Sequence, residues 1–176
     1  MKRRIPAMLL CLFLSLTLAG HAEEEPRLVE GYVIRGSQRI AFLYPEGCEI
    51  EIEDSIGTAV FLDDGNYVAL AIPRGGVSGV DDLLARMLDS EAIVRLSEDM
   101  HVCGVHGDDN HRMPYLDIVS IGINLPDGGN VGLAAFCDYG TTEVYDLLLT
   151  IVSSMTDAAL LEEWLTNEWI PYITAQ

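Results

Sequence analysis

The sequence predicts an α+β fold in which an antiparallel sheet lies between helices. One basis is the order of the predicted elements, which runs from strands through one helix to a strand meander and then to C-terminal helices. A second basis is the segment 112–139, where two apolar runs flank the turn sequence Pro-Asp-Gly-Gly at 126–129. Both faces of these runs carry apolar or small residues, which is typical of strands that are covered on both sides.

The first 22 residues have the features of a secretory signal peptide. Three basic residues precede an apolar run over 5–18, which is shorter than the ~20 residues of a membrane-spanning helix. We expect cleavage after Ala22, which leaves residues 23–176 as a single domain with a C-terminal helical extension. The sequence therefore predicts a protein that is secreted or lies on the exterior of the cell envelope, without membrane insertion after cleavage.

The chain is strongly acidic. Removal of the signal peptide takes away Lys2, the only lysine, and leaves seven arginines against 28 acidic residues. This charge disfavours binding to nucleic acid or anionic lipid and favours cations, basic proteins or neutral ligands, while solubility outside the cell is the simpler explanation of it. Without lysine, the mature chain has no Schiff-base chemistry, no Gly-Lys-Ser/Thr phosphate loop and no Ser-x-x-Lys acyl transfer.

The N-terminal part predicts a hairpin followed by an edge strand. Runs over 28–35 and 39–44 are separated by a short Gly-Ser-Gln turn, which favours a hairpin. Residues 49–53 alternate glutamate with isoleucine, so both isoleucines are expected to face inward and the three glutamates outward. We interpret the carboxylates as protection of a sheet edge, with a cation site on that row as the alternative.

A second hairpin and a helix follow. Runs over 58–62 and 67–72 flank an Asp-Asp-Gly-Asn turn and are apolar on both faces, which predicts two strands in the middle of the sheet. Ser78 is the predicted N-cap of a short amphipathic helix that ends near Asp89.

The C-terminal half predicts a meander and two helices. A strand over 93–106 is expected to join the hairpin of 112–139 in a three-stranded meander. A threonine after Gly140 can cap a helix with apolar positions over 144–155. Thr156 can cap a further helix, which is expected to end before Pro171.

The run Phe-Leu-Tyr-Pro-Glu-Gly at 42–47 resembles the aromatic-Pro-Glu-Gly strand end of PsbP-like proteins, which include the extrinsic subunit of the oxygen-evolving complex and exported bacterial proteins of the DcrB type. The resemblance would cover about residues 32–155, with Cys48 where many such proteins have tryptophan. It implies an α/β/α sandwich that serves mostly as a non-catalytic binding or assembly module, and it carries over no catalytic residue. A cystatin-like or other α+β fold is the alternative.

The clearest candidate for chemistry is a histidine-rich segment between two predicted strands. It contains His101, Cys103, His106, Asp108, Asp109 and His111. Imidazole, thiolate and carboxylate are ligands for zinc or a related divalent cation, and a loop between strands can bring them together. Strand parity places His101 on the face opposite His106, so the predicted metal ligands are His106, Asp108, Asp109 and His111. A solvated hairpin loop without metal is the simpler explanation of the segment and is favoured.

Two other arrangements have simpler explanations. Cys103 and His101 would form a thiolate–imidazole pair, but they lie ~6.7 Å apart along a strand and no oxyanion donor is identifiable. The aromatic residues Trp164, Trp169 and Tyr172 suggest either a ligand surface or packing of the last helix, and packing is favoured.

The three mature cysteines are expected to be free thiols. In a meander, the strands that carry Cys103 and Cys137 lie on opposite sides of the central strand, which separates their Cα atoms by at least ~9.6 Å. A disulfide requires less than ~7 Å. Cys48 lies at a strand end that the sequence does not position, so its pairing stays open.

The strand and helix patterning is complete, and no catalytic motif accompanies it. We therefore expect an exported, non-enzymatic binding or assembly domain without a cofactor, whose partner is a protein or a small ligand. The alternative is a divalent-cation-binding or metal-dependent hydrolytic protein that uses residues 101–111.

Overall fold

The computed structural model describes residues 26–53, 57–73, 93–107 and 116–175. The predicted signal peptide and the helix predicted after Ser78 lie outside these ranges. The strands are β1 (Leu28–Arg35), β2 (Gln38–Pro45), β3 (Glu49–Glu53), β4 (Gly57–Phe61), β5 (Tyr67–Ala71), β6 (Val94–Arg95), β7 (Met100–Val105), β8 (Leu116–Asn124) and β9 (Asn130–Asp138). The helices are α1 (Glu143–Ser153), α2 (Ala159–Trp164) and α3 (Ile170–Thr174), and a π-helical turn, Leu165–Trp169, joins α2 to α3.

Seven of these strands form one antiparallel sheet in the order β3-β4-β5-β9-β8-β7-β6. The β8–β9 hairpin is its centre, and its turn is closed by hydrogen bonds from Leu125 N to Gly129 O (2.8 Å) and from Gly128 N to Leu125 O (2.9 Å). Gly128 has a φ of +86°, a conformation that glycine adopts without steric cost. The predicted hairpin and meander are confirmed, and the chain has an α+β fold with a mostly antiparallel sheet.

The first hairpin, β1–β2, is a separate two-stranded sheet that packs across β4 and β5. Thr58 Oγ1 donates to the carbonyl of Tyr32 at 2.7 Å, and the Arg35 guanidinium donates to the carbonyl of Ile72 at 2.7 Å. Val33 and Phe42, one from each strand, are buried in the core. The predicted hairpin therefore exists but covers the large sheet instead of extending it.

The hydrophobic core lies between one face of the seven-stranded sheet and a layer made of the β1–β2 hairpin and the C-terminal helices. Sheet register places alternate residues of neighbouring strands on this face, including Val119 opposite Ala135 and Ile121 opposite Leu133. The helix α1 contributes Val144, Tyr145, Leu147, Leu148, Ile151 and Val152, all buried. Each buried aliphatic side chain stabilises the fold by about 1.5–3 kcal/mol through removal of apolar surface from water.

The acidic strand β3 forms one edge of the sheet, as predicted. Its three glutamates are exposed, and Ile50 packs against the core. Ile52 is opposite the buried Thr58, so it shares the inward face with Ile50 as predicted, but its side chain is 53% exposed. An edge strand has a neighbour on one side only, so the end of β3 that carries Ile52 receives little cover.

The single strand predicted over 93–106 is two strands joined by a bend. Val94 pairs with Val102, so β6 and β7 are antiparallel neighbours. The bend is held by Ser97 Oγ, which accepts from Asp99 N at 3.1 Å, and by Ser97 N, which donates to Met100 O at 3.1 Å. Serine and aspartate side chains bond to the nearby backbone in this way at turns, which overrides the apolar alternation around them.

The C-terminal helix does not end before Pro171. The π-helical turn precedes α3, and Pro171 lies in its first turn, where a residue needs no backbone N–H. Trp169 is buried and its ring stacks on Trp164 with 5.8 Å between centroids. The predicted packing role is thus confirmed for Trp169. Among the described residues, no helix has the length and the hydropathy that a membrane span requires.

Candidate functional site

A histidine–carboxylate pair lies buried at the ends of the two neighbouring strands β7 and β8. The register pairs Val105 with Ile118, so His106 follows directly at the position beside Asp117. His106 Nδ1 lies 2.6 Å from Asp117 Oδ1, and both side chains are fully shielded from solvent. Asp117 is opposite Cys137 of β9, which places the pair at one end of the core face.

The Asp117 carboxylate accepts three hydrogen bonds from described residues. Its Oδ1 accepts from His106 and from Gly107 N at 2.9 Å, and its Oδ2 accepts from Gly140 N at 3.0 Å. A buried carboxylate is costly unless such donors replace its hydration. A carboxylate can only accept, so His106 Nδ1 is the donor in this pair, and the ring is held in one orientation.

The other ring nitrogen, Nε2, is buried and has no hydrogen-bond partner among the residues that the structure describes. The His106 ring packs against Tyr139, with 4.5 Å between centroids, and meets the edge of Tyr172 at 5.6 Å. The two tyrosines are 40% and 44% exposed, whereas His106 is 1% exposed. The imidazole therefore lies directly beneath a surface formed by two aromatic rings.

A second polar network adjoins this pair inside the core. Trp169 Nε1 donates to the Tyr145 hydroxyl at 2.7 Å, and that hydroxyl lies 3.4 Å from Cys137 Sγ. Cys137 Sγ also approaches the carbonyls of Asp117 and Thr141, at 3.5 and 3.7 Å. Burial raises the pKa of the Cys137 thiol and of the Tyr145 phenol, so both remain protonated at neutral pH. Cys137 is thus a packed thiol and not an activated nucleophile.

The predicted metal ligands are only partly within the described residues. His106 is described and its Nδ1 is committed to Asp117, while Asp108, Asp109 and His111 lie outside the described ranges. Within those ranges, no group of three His, Cys, Asp or Glu side chains is arranged to hold a metal ion. The metal site therefore stays a prediction.

The remaining members of the histidine-rich segment lie on the other face of the sheet. His101 is opposite Gly122 and Cys103 is opposite Ser120, a register that places both away from His106. The strand parity predicted from the sequence is correct. Cys103 and His101, the candidate thiolate–imidazole pair, therefore lie on the sheet face opposite the His106–Asp117 pair.

Sequence reasoning missed Asp117. The signal was present, because Asp117 has the same strand parity as Val119, Ile121 and Ile123, which are all buried on the core face. A carboxylate at a core-facing position requires donors nearby, and a histidine at the end of the preceding strand is one such donor.

A groove on the molecular surface is the second candidate site, and it runs between the β1–β2 hairpin and the helices α1 and α2. Its volume is about 530 Å³. Its lining comprises Leu28, Leu43, Asp146, Leu149, Thr150, Ser153, Ser154 and Glu162. Ser154 Oγ connects its two walls by accepting from Leu43 N at 2.9 Å.

The groove combines exposed apolar side chains with negative charge. Leu28 and Leu43 are 42% and 36% exposed, which is high for leucine. Asp146 and Glu162 are exposed at its rim, and no arginine is among its described lining residues. The surface therefore suits a partner that is apolar and positively charged.

Comparison of the chain with protein-family models, with curated proteins and with solved structures finds no match.

Proposed function

We propose that this chain is an exported, non-enzymatic binding or assembly domain whose binding surface is the groove between the β1–β2 hairpin and the helices α1 and α2. The observation that carries the proposal is the groove itself, in which leucine side chains remain exposed beside carboxylates. Exposed apolar surface is costly in water and often marks an interaction site.

The chemistry of the buried polar groups supports a binding role over catalysis. Asp117 accepts hydrogen bonds from His106, Gly107 and Gly140. Burial raises the pKa of Cys137 and of Tyr145, so both side chains stay protonated in the core. No described hydroxyl or thiol forms a hydrogen bond with His106 Nε2, so the His106–Asp117 pair is not joined to a nucleophile among the described residues. The network is best explained as a set of bonds that connects β7, β8 and the turn after β9.

The proposal includes a PsbP-like α/β/α sandwich. Its support is the α+β class, the antiparallel sheet with C-terminal helices on one face, and the strand β2 that ends at Pro45 before Glu46 and Gly47. An experimental structure of the mature protein tests it. Helices on both faces of the seven-stranded sheet are expected, and a second face without a helix would reject the sandwich.

Export and binding can be tested in the native organism. N-terminal sequencing of the secreted protein is expected to begin at Glu23, and retention of residues 1–22 in a membrane-bound species would contradict cleavage. Affinity capture from the envelope or culture fluid should then compare the wild type with a Leu43→Ser/Leu149→Ser double variant. Leu160→Ser is the matched control, because Leu160 is 47% exposed and does not line the groove.

Loss of the captured partner in the double variant, with retention in the Leu160→Ser control, supports the groove as the binding surface. Equal capture by all three proteins would place binding elsewhere on the molecule. Circular dichroism of each variant establishes that the fold is intact before capture is compared.

Divalent-cation binding is the second candidate function, and the geometry of His106 favours it. Metal-ligating histidines usually donate their second ring N–H to a carboxylate, as His106 Nδ1 does to Asp117. The free Nε2 would then bind the cation together with Asp108, Asp109 and His111. A metal-dependent hydrolytic activity would require this site to be occupied.

A thermal-shift titration with zinc and calcium tests this candidate. A bound cation should stabilise the wild type by about 2.7 kcal/mol at a concentration 100 times its Kd. His111→Ala should abolish the shift, whereas His101→Ala, which changes a histidine on the other sheet face, should preserve it. An unchanged melting temperature of the wild type at millimolar metal would exclude the candidate.

A further inference from the structure

We infer that the groove binds a short cationic peptide segment that carries apolar anchor side chains, a conclusion that rests on the proposed function because it assumes that the groove is the binding surface. Three observations indicate the chemistry of the partner. They are the apolar side chains of the groove, its negative charge and the hydrogen bond that already occupies the neighbouring edge of β2.

The apolar side chains of the groove require apolar anchor side chains on the partner. Leu28 of β1, Leu43 of β2 and Leu149 of α1 come from three different elements and converge on one groove. The volume of about 530 Å³ is within the range of ligand sites, ~300–1,000 Å³. It can hold a few side chains of a peptide but not a whole domain surface. Burial of such anchors supplies most of the binding free energy at interfaces of this kind.

The charge of the groove selects a cationic partner. Asp146 of α1 and Glu162 of α2 both line it, and both residues are exposed. None of the four described arginines lines the groove. Arg35 binds the carbonyl of Ile72, Arg39 lies over the ring of Tyr32 at 3.4 Å, and Arg27 is paired with Glu46 at 3.5 Å. Arg95 lies on β6. The whole chain carries a formal net charge of −18, which extends the attraction to longer range.

The strand edge beside the groove disfavours strand addition. The N–H of Leu43 on the outer edge of β2 already donates to Ser154 Oγ, at 2.9 Å. A peptide that added to β2 as a further strand would need to break this bond. Insertion of side chains between β2 and α1 leaves the bond intact, so we assign recognition to side-chain anchors beside basic residues.

Fluorescence anisotropy with labelled synthetic peptides tests the inference. The probe is a peptide of about twelve residues with leucines at i, i+3, i+4 and i+7 and lysines at the other positions. One comparison peptide replaces its lysines with glutamates, and a second replaces its leucines with serines. The full mature protein is used, in about 0.05 M and 0.3 M salt.

The Leu/Lys peptide is expected to bind saturably, and Leu43→Ser/Leu149→Ser should weaken it about tenfold or more. Asp146→Asn/Glu162→Gln should weaken it about three- to tenfold in low salt and reduce the salt dependence, because exposed ion pairs contribute modestly and are screened. Leu160→Ser and Glu163→Gln are the matched controls, because they change a leucine and a glutamate that do not line the groove. Each should change the affinity for the peptide by less than about twofold.

Three results would overturn the inference. They are equal binding of the serine peptide, equal binding of the glutamate peptide, and affinities that the groove variants do not change. An absence of peptide binding combined with groove-dependent capture of the native partner would reject a cationic partner and retain the binding surface. Loss of both would reject the proposed function as well. Self-association of the free protein through the groove, visible by sedimentation, would identify a second copy of the chain as the occupant.

Discussion

Gly104 in β7 leaves no space for a side chain, because the indole ring of Trp169 rests directly on it. A Cβ at this position would lie 2.4 Å from Cζ3, 2.5 Å from Cε3 and 3.0 Å from Cη2 of that ring. Carbon atoms do not approach so closely in folded proteins, so Gly104→Ala must displace the ring. The ring is 5% exposed, and its Nε1 donates to the Tyr145 hydroxyl at 2.7 Å, so displacement disturbs both packing and a buried hydrogen bond.

The expected cost of Gly104→Ala follows from these two losses. Overpacking of a core typically costs about 1–3 kcal/mol. Loss of the hydrogen bond to Tyr145 adds about 0.5–1.5 kcal/mol. The preference of a strand interior for alanine over glycine offsets about 0.5–1 kcal/mol. We therefore expect the free energy of unfolding to fall by about 2 kcal/mol, within a range of about 0.5–4 kcal/mol.

Urea unfolding followed by circular dichroism measures this change. In a Trp169→Leu background, Gly104→Ala should cost less than about 0.5 kcal/mol, because the clashing ring is gone. Gly129→Ala is the matched control: its Cβ would be 3.2 Å from the exposed Asp127 carboxylate, which can rotate away. A cost of Gly104→Ala below about 0.5 kcal/mol, or an equal cost in both backgrounds, would refute the assigned contact.

Three further outcomes are expected. Asp117→Asn should lower the free energy of unfolding by about 1.5–3 kcal/mol, because an amide NH2 group would replace one carboxylate oxygen and leave a buried N–H donor without its acceptor. The exposed Asp146→Asn should change it by less than about 0.5 kcal/mol in the same urea titration. A thiol reagent should react with three groups in the denatured, unreduced mature protein but only with Cys48 in the native protein. The reaction of Cys48 should be slow, because burial raises the pKa of its thiol. Reaction of Cys103 or Cys137 at the rate of Cys48 would contradict the burial of these two side chains. Burial raises the pKa of Tyr145 above 10.0, so the unfolded chain loses this proton first, and the contribution of Tyr145 to stability should be constant below pH 10.0 and fall above it. Cys137, whose pKa burial raises above 9.0, should add a separate fall that begins above pH 9.0. An unchanged slope above pH 10.0 in Tyr145→Phe would assign the fall there to other groups.

The hairpins were predictable because their signals are local. The glycines of the 126–129 turn and the Asp-Asp-Gly-Asn turn between β4 and β5 appear directly in the sequence, and alternation sets which residues share a face. The strand predicted over 93–106 was wrong for a local reason too. The polar run Ser-Glu-Asp at 97–99 interrupts the apolar alternation, and it forms the bend between β6 and β7.

The candidate site was predictable only in part. His106 was identified by its residue type and position, and its separation from His101 followed from strand parity. Its partner Asp117 was visible as a charged residue at a core-facing position but was not recognised. The donors from Gly107 and Gly140 carry no side-chain signal, since any backbone N–H at those positions has the same chemistry.

The groove had no sequence signal. Leu28, Leu43 and Leu149 occur in ordinary amphipathic elements, and alternation alone assigns each of them to one face or another. They line one groove only because the β1–β2 hairpin is separate from the large sheet and packs beside α1.

The amino-acid sequence by itself determined the turns, the strand faces, the amphipathic helices and the acidity of the chain, because each depends on residues that are near one another or on composition. The tertiary structure alone decided how the hairpins are arranged, with β5 beside β9 and the β1–β2 hairpin packed across the sheet, and so which side chains from distant segments meet. This arrangement depends on how apolar surfaces from distant segments are buried together, and that long-range choice set Trp169 against Gly104.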